Sequence, residues 1–230
     1  MQHALDNPVW HALVGPHAKF AVGQALARHY PRDIAPFSAV AEATDAAYAD
    51  LAADLPSGLE ARLFRPFDEP ALAGWETLSA RPIIQMVADD IAIPQAALRD
   101  DLTVLGIDDT EDMLELAGIA KPGPFGPRTA LLGRFIGYRE RGRLLAMGGE
   151  RFRLPGFVEL SAISVHPDAR GAGLGSAITL HLARLALARG ENPFLHVFPD
   201  NPAVVLYRRL SFRERTRLWV IWRRVAAGTR

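Results

Sequence analysis

Between Arg170 and Ser176 the chain reads Arg-Gly-Ala-Gly-Leu-Gly-Ser. Glycines at alternate positions leave backbone N–H groups that an anion can approach without meeting a Cβ. The stretch opens a segment in which Leu174, Ile178, Leu182 and Leu185 have the spacing of one helix face. The first amides of a helix lack internal partners and sit at the positive end of its dipole, so a phosphate is the expected guest. Two side chains elsewhere could move protons. Glu159 is a carboxylate in an otherwise apolar strand-like run, Phe157 to Val165, where it would share a face with Ser161, Ile163 and Val165. His196 shares a strand face with Phe194 and Phe198. Either could act as a base. Either could also be structural, Glu159 as a paired or exposed strand-end acid and His196 as a core imidazole.

The elements that must position these groups alternate between strand and helix. Three strands, Gly133–Tyr138, Arg143–Gly148 and Phe157–Val165, precede the glycines. Glu140-Arg141-Gly142 makes the first turn, and Gly148-Gly149 leads towards a second at Leu154-Pro155-Gly156. The helix after the glycines runs to about Arg189, with Gly190 as C-cap. A short buried strand follows at Phe194–Phe198, then a helix from Asn201-Pro202 to about Leu210. Phe212 to Val225 reads as one or two terminal strands. Upstream, Leu102–Leu105 is a strand, and Asp108 and Asp109 offer N-cap oxygens to a helix reaching Ala117. Glu111 and Asp112 then suit the helix dipole as solvated charge. Gly118 to Arg128 is a Pro/Gly-rich loop long enough to cover a substrate. The first hundred residues are less patterned. Ala21–His29 and Thr44–Leu55 look helical, and Phe37–Val40, Leu59–Phe64 and Ile83–Val87 look like strands. His3, His11, His17 and His29 have no metal-ligand spacing and read as surface or packing residues.

Bulk composition narrows the classes. At 230 residues and 49% hydrophobic, the chain can bury a core and is not expected to be disordered. A net charge of zero argues against a nucleic-acid or anionic-membrane binder. The zero is uneven: residues 1–100 carry a net of −6 and residues 101–230 a net of +6. That break suggests a domain boundary near residue 100, with the glycine loop in the positive half. The absence of cysteine excludes disulfides, thiolate metal sites and a Cys nucleophile. No apolar run approaches the length of a membrane helix, and Met1–Pro16 lacks a basic start and an apolar core, so a signal peptide is not expected. The expected location is cytoplasmic.

Which phosphate compound the loop takes can be narrowed by what surrounds it. A P-loop needs Gly-Lys-Ser/Thr, and no lysine is present here. A Rossmann site needs its first glycine straight after a strand. Here His166 to Arg170 intervenes, although Glu191 or Asp200 could serve as the ribose acid. The stretch Arg170-Gly171-Ala172-Gly173-Leu174-Gly175 resembles the Gln/Arg-x-x-Gly-x-Gly/Ala acyl-CoA signature of the GNAT superfamily of N-acetyltransferases. Glu159 to Pro167 resembles that family's fourth strand and its exit. Asn201 and Leu206-Tyr207-Arg208-Arg209-Leu210-Ser211-Phe212 resemble its downstream Asn and Leu-Tyr-x-x-Leu-Gly-Phe segment, with Ser211 in place of the usual Gly. The resemblance covers about residues 101–230. Pro193 to Val197 is most similar to the branch that includes glycine N-acyltransferases. Members of that branch carry an extra N-terminal α/β half, in this chain residues 1–100, which could be a degenerate GNAT-like domain.

The resemblance implies an α/β fold with a mixed, mostly antiparallel sheet whose fourth and fifth strands splay apart around the pantetheine arm. Acetyl-CoA would be the cosubstrate, with no metal. Backbone groups of Ile163 and Val165 would hold the arm. The N–H groups of Gly171, Ala172, Gly173, Leu174, Gly175 and Ser176 would bind the pyrophosphate beside Arg170, with Asn201 nearby. Tyr207 matches the position that protonates the leaving thiolate, and Glu159 one that serves as general base, usually through water; His196 is the competing base. Arg128 and Thr129 are candidate acceptor-site lining. With no Cys, direct attack of the amine in a ternary complex is the simplest route. The implied activity is N-acetyl transfer to a small-molecule amine or amino acid, with protein amines open as acceptors. The alternative is a non-catalytic acyl-CoA sensor. Dimers through the terminal strands are a family habit.

Overall fold

Eight strands contributed by both halves of the chain build a single sheet in the computed structural model, which describes residues 3–23, 25–55, 58–88, 91, 93 and 99–226. The strands of this sheet are β3 (Glu60–Arg65), β4 (Trp75–Val87), β5 (Leu102–Leu105), β6 (Phe135–Glu140), β7 (Arg143–Leu154), β8 (Phe157–Val165), β9 (Asn192–Val197) and β10 (Arg213–Val225). They stand in the order β3-β10-β4-β9-β8-β7-β6-β5. A separate pair, β1 (Ala27–His29) and β2 (Ser38–Val40), lies outside it. The helices are α1 (Pro8–Leu13), α2 (Asp45–Asp54), α3 (Thr110–Ala120), α4 (Leu174–Leu187) and α5 (Ala203–Arg209). No helix among the described residues is long and apolar enough to cross a membrane.

Every neighbouring pair in the sheet is antiparallel except β8 and β9, so the sheet is mixed as expected. That parallel ladder is three residue pairs long, Phe157–Asn192, Val158–Pro193 and Glu159–Phe194. Beyond it β8 runs on to Val165 and β9 to Val197 without pairing each other. The result is a wedge that opens at Leu160 and Leu195.

The expected separation at residue 100 does not appear as a break in the sheet. β4, from the first hundred residues, lies between β9 and β10, pairing Ile84–Val87 with β9 and running along β10 from Trp75 to Val87. Residues 101–230 alone would therefore leave β9 and β10 without their common neighbour. The segment 94–98, just before the expected boundary, lies outside the described residues. β10 is a single inner strand, paired with β4 along its length and with β3 from Trp219 to Arg224, so most of it is not the free edge that strand-mediated dimerisation needs.

Alternation of side chains along the strands sends two cores to opposite faces. Ile83, Val87, Phe152, Phe194 and Val220 pack with Leu5, Val9, Leu13, Tyr30 and Ile34 of the N-terminal segment. Ile84, Met86, Leu160, Leu195 and Val197 pack under Leu174, Ile178 and Leu182 of α4 and Tyr207 of α5. The first hundred residues thus cover one face of the sheet as well as extending it.

Several elements differ from the sequence expectation for local reasons. Ala21–His29 is not a helix: Gly23 takes φ +95°, and Val22 and His29 exchange backbone hydrogen bonds that reverse the chain into β1. β7 does not end at Gly148-Gly149 but runs through it, because a Cβ at Gly149 would fall 2.3 Å from the Phe135 ring on the neighbouring strand. Asp109 does not cap the following helix through its side chain. Its carboxylate accepts the Gly106 N–H at 2.9 Å, and with Asp112 it pairs with Arg139 at 2.7 and 2.6 Å. α3 continues through Gly118 to Ala120.

Ser211, where the family pattern has Gly, keeps the left-handed backbone of that turn at φ +66°. That conformation disfavours any residue with a Cβ. Ser211→Gly is expected to stabilise the fold by about 0.5–1 kcal/mol, read as a raised urea midpoint at unchanged m. His17 is buried with its Nδ1 2.9 Å from the Tyr30 hydroxyl. Burial pushes its pKa down to about 4, against the opposing pull of the Leu132 backbone contact. The unfolded chain takes up this proton below about pH 6.5 and the folded chain does not, so stability falls as pH drops from 6.5 towards 4. Urea titrations should show a loss of about 2 kcal/mol from this group between pH 7 and 5, and His17→Gln should remove most of that loss.

Candidate active site

The wedge between β8 and β9 opens into a cavity of about 640 Å³. Ser161, Ile163 and Val165 of β8, His196 of β9 and Tyr207 of α5 all line it, together with Arg170 and Asn201. At its mouth α4 begins without a side-chain cap. Gly173, the N-cap, has φ +73°, and Gly171 has φ +83°; nothing lies within 4 Å of where their Cβ atoms would be. The uncapped N–H groups of Leu174, Gly175 and Ser176 therefore face open space beside Arg170, a fitting cradle for a pyrophosphate. The exposed Gly171, Ala172 and Gly173 continue it. Leu174 contributes only its backbone, since its side chain is buried under the sheet. The Asn201 Oδ1 accepts the Ala203 N–H at 2.9 Å and so starts α5 while its residue lines the cavity.

The wedge is also shaped by a bulge. Ala162 sits at φ +55°, and the β7–β8 register slips there between Met147 and Gly149. Ser161, Ile163 and Val165 reach the cavity on the open part of β8, whereas Glu159 lies one step back in the last closed pair with Phe194.

Glu159 therefore does not face the cavity, contrary to the expectation that it could act as a base there. It is fully buried. Arg151 of β7 donates to both of its oxygens, Nε to Oε2 at 2.7 Å and Nη2 to Oε1 at 2.6 Å. The His196 Nδ1–H donates to Oε1 at 2.6 Å. Burial alone would raise the pKa of this carboxyl, but Arg151 and His196 outweigh burial and hold it down to about 2. A carboxylate this stable is a poor proton acceptor. The guanidinium of Arg151 is in turn stacked over Phe37 and Phe152, 4.8 and 4.7 Å from the ring centres.

His196 borders the cavity through its backbone, and its side chain is as fully buried as that of Glu159. Burial pushes its pKa down against the pull of Glu159, so the ring is neutral near pH 7 and the contact is a hydrogen bond rather than an ion pair. Its tautomer follows from its other neighbour. Gln85 stands directly opposite it on β4, and the Gln85 Nε2 donates to the Leu5 carbonyl at 2.8 Å. That carbonyl can only accept, so the amide nitrogen is placed correctly. Its second N–H points at the His196 Nε2, 3.0 Å away. Nε2 must then be the acceptor and Nδ1 must carry the proton. Phe64 of β3 stacks on the ring at 4.5 Å between centroids.

Tyr207 is 9% exposed and lines the same cavity. Burial pushes its pKa up to about 12, so it keeps a proton to give at neutral pH. Arg128 and Thr129 do not line the cavity. Arg128 pairs with Asp33 at 3.0 Å, and the Thr129 hydroxyl donates to the Ile34 carbonyl at 2.7 Å. Lys121 to Pro124 of the same loop line it instead. Sequence reasoning missed Arg151, Gln85, Arg62, Phe64 and Trp222. Counting back from the Leu154–Phe157 pair in regular register sets Phe152 opposite Glu159, and only the slip between Glu150 and Arg153 brings Arg151 to it. Nothing local in the sequence points to Gln85, which lies 111 residues from His196.

Known proteins share this architecture. Residues 135–220 match the model of FR47-like proteins. The crystal structure of a GNAT-family protein from Novosphingobium aromaticivorans is 33% identical, superposes with a TM-score of 0.89, and the match covers 98% of this chain and 100% of that one. A GCN5-related N-acetyltransferase from Kribbella flavida shares the fold at 18% identity and a TM-score of 0.64 over 95% of each chain. A mycothiol acetyltransferase of Saccharomonospora viridis is 46% identical over 56 residues, which span 24% of this chain and 18% of that protein.

Removing the charge of Glu159 would leave the half-buried Arg151 unpaired and the Glu159 site itself wholly out of water. Glu159→Gln is expected to destabilise the fold by about 3–5 kcal/mol in denaturant titrations. Adding Arg151→Met should restore part of the loss; a double variant no more stable than the single one would contradict the pairing.

Proposed function

The chain belongs to the GNAT superfamily of acetyltransferases, and from that premise we propose that it transfers an acetyl group from acetyl-CoA to the primary amine of a small molecule or amino acid, by direct attack in a ternary complex. The observation that carries this reading is one cavity lined by Arg170, a protonated phenol and the open edge of β8, with the uncapped start of α4 at its mouth. The N–H groups from Gly171 to Ser176 and the side chain of Arg170 hold the pyrophosphate. Backbone groups of Ile163 and Val165 hold the pantetheine arm along the unpaired edge, and Asn201 borders it.

In this reading the His196 Nε2 takes the proton of the attacking amine. The Glu159 Oε1, 2.6 Å from Nδ1, stabilises the imidazolium that forms. The Gln85 N–H must give up its contact with Nε2 at that moment. The Tyr207 hydroxyl protonates the departing thiolate, a role consistent with a phenol held in its protonated form. Acetyl is the proposed acyl group. The Pro193–Val197 stretch resembles the glycine N-acyltransferase-like branch, and that resemblance favours an amino-acid acceptor.

Tyr207→Phe is expected to lower the rate of CoA release from acetyl-CoA and an amine panel by ~10²-fold while leaving CoA affinity unchanged. Tight CoA binding with no release of CoA from any amine, in the wild type as in the variant, would favour the acyl-CoA sensor instead.

A further inference from the structure

The charges around the cavity are of one sign. Arg62, Lys121, Arg151, Arg170 and the titratable His196 line it, and no aspartate or glutamate does so among the described residues. Two of these are already engaged. Arg170 stands beside the glycine cradle, and Arg151 is neutralised by Glu159. Lys121 lies exposed on the loop at the rim. Arg62 differs from all of them. It projects from β3, directly opposite Trp222 of β10, with its guanidinium 3.9 Å above the indole ring. Its one carboxylate neighbour, Glu60, is 3.6 Å from Nη2, beyond the range of a strong charge-assisted bond. The buried Nε has no hydrogen-bond partner.

The floor of this part of the cavity is laid by strand register. Phe64 is paired with Val220 and Arg62 with Trp222, and all four line the cavity. Phe64 touches the His196 ring. Arg62 lies two residues further along the strand, a rise of roughly 7 Å. A guanidinium with an unpartnered donor thus stands at one end of an aromatic floor that lines the cavity.

We propose that the acceptor is an amine that also carries a carboxylate, and that the Arg62 guanidinium holds this carboxylate over the Phe64–Trp222 floor. This rests on the acyl-transfer reading of the same site and adds the substrate class. A planar guanidinium binds a carboxylate through two parallel N–H donors. The surplus of positive charge serves a second purpose, since nearby like charge disfavours the ammonium form and favours the neutral amine that must attack. Phe37, Phe64 and Trp222 favour an acceptor with apolar bulk between its two polar ends.

The test compares matched acceptors on the full chain with acetyl-CoA. Phenylalanine is set against phenylalaninamide and phenethylamine, and γ-aminobutyrate against n-butylamine. The carboxylate-bearing member of at least one set should have the higher kcat/KM by roughly 10-fold or more. Arg62→Gln should bring that ratio close to one, chiefly through the acceptor KM, and Arg62→Lys should keep part of it. Equal or better turnover of the carboxylate-free members would overturn the proposal while leaving acyl transfer standing. So would a ratio unchanged in folded Arg62→Gln. If acetyl-CoA binds and no amine is acetylated, the acyl-transfer reading fails. Calorimetric titration of the same pairs onto the CoA-bound protein then decides the substrate class. A preference for the carboxylate member that Arg62→Gln removes supports it, and equal or undetectable binding of both members overturns it.

Discussion

A carboxylate cannot be taken wholly out of water without a counter-charge, and Glu159 is wholly out of water. Its answer is a row of side chains drawn from four adjacent strands: Arg151 on β7, Glu159 on β8, His196 on β9 and Gln85 on β4. The row ends on the carbonyl of Leu5, in the segment that covers this face of the sheet. Each member fixes the next. Arg151 keeps Glu159 ionised, Glu159 takes the Nδ1 proton of His196, and the Gln85 amide, oriented by Leu5, can only donate to Nε2. The chemistry open to the imidazole is therefore set by a chain of contacts that runs from Arg151 at the cavity wall to the Leu5 carbonyl in the N-terminal segment.

The same row explains why the first hundred residues belong to the site. β4 separates β9 from β10 and brings Gln85 opposite His196. β3 brings Phe64 against the imidazole and Arg62 along the floor. The glycine cradle and the open edge of β8, by contrast, come from the later part of the chain and depend little on this insertion. The later part of the chain thus lines one part of the cavity, and β3 and β4 from the first hundred residues line another with Arg62, Phe64 and Ile83.

The glycine turn and the elements around it were the more legible in the sequence because their signals are local. Gly171 and Gly173 take backbone conformations that side chains disfavour, and the helix stripe beginning at Leu174 follows at once. The strand, glycine turn, helix and Asn201-Pro202 start come in chain order, so spacing alone orders them. The errors were made where distant contacts overrode local preference. An alanine-rich stretch around residue 25 lost its helix to the Val22–His29 bridge. Gly148-Gly149, which reads as the end of a strand, is the place where β7 lets Phe135 pack against it. Glu159 was recognised as out of place on an apolar strand, but its partner Arg151 lay across a bulged hairpin whose register the sequence does not state.

By itself, then, the sequence determined the α/β alternation, the glycine turn that opens α4, the position of Tyr207 on the helix after β9, and the candidacy of Glu159 and His196. Those depend on residue types a few positions apart, which backbone geometry converts directly into shared faces and free amides. Only the tertiary structure decided that Arg151 and His196 both close on Glu159, which nitrogen of His196 accepts, and that Arg62 lies over Trp222 on the cavity floor. Those depend on which strands become neighbours, and strand order is set by the burial of two cores on opposite faces of the sheet rather than by any run of adjacent residues.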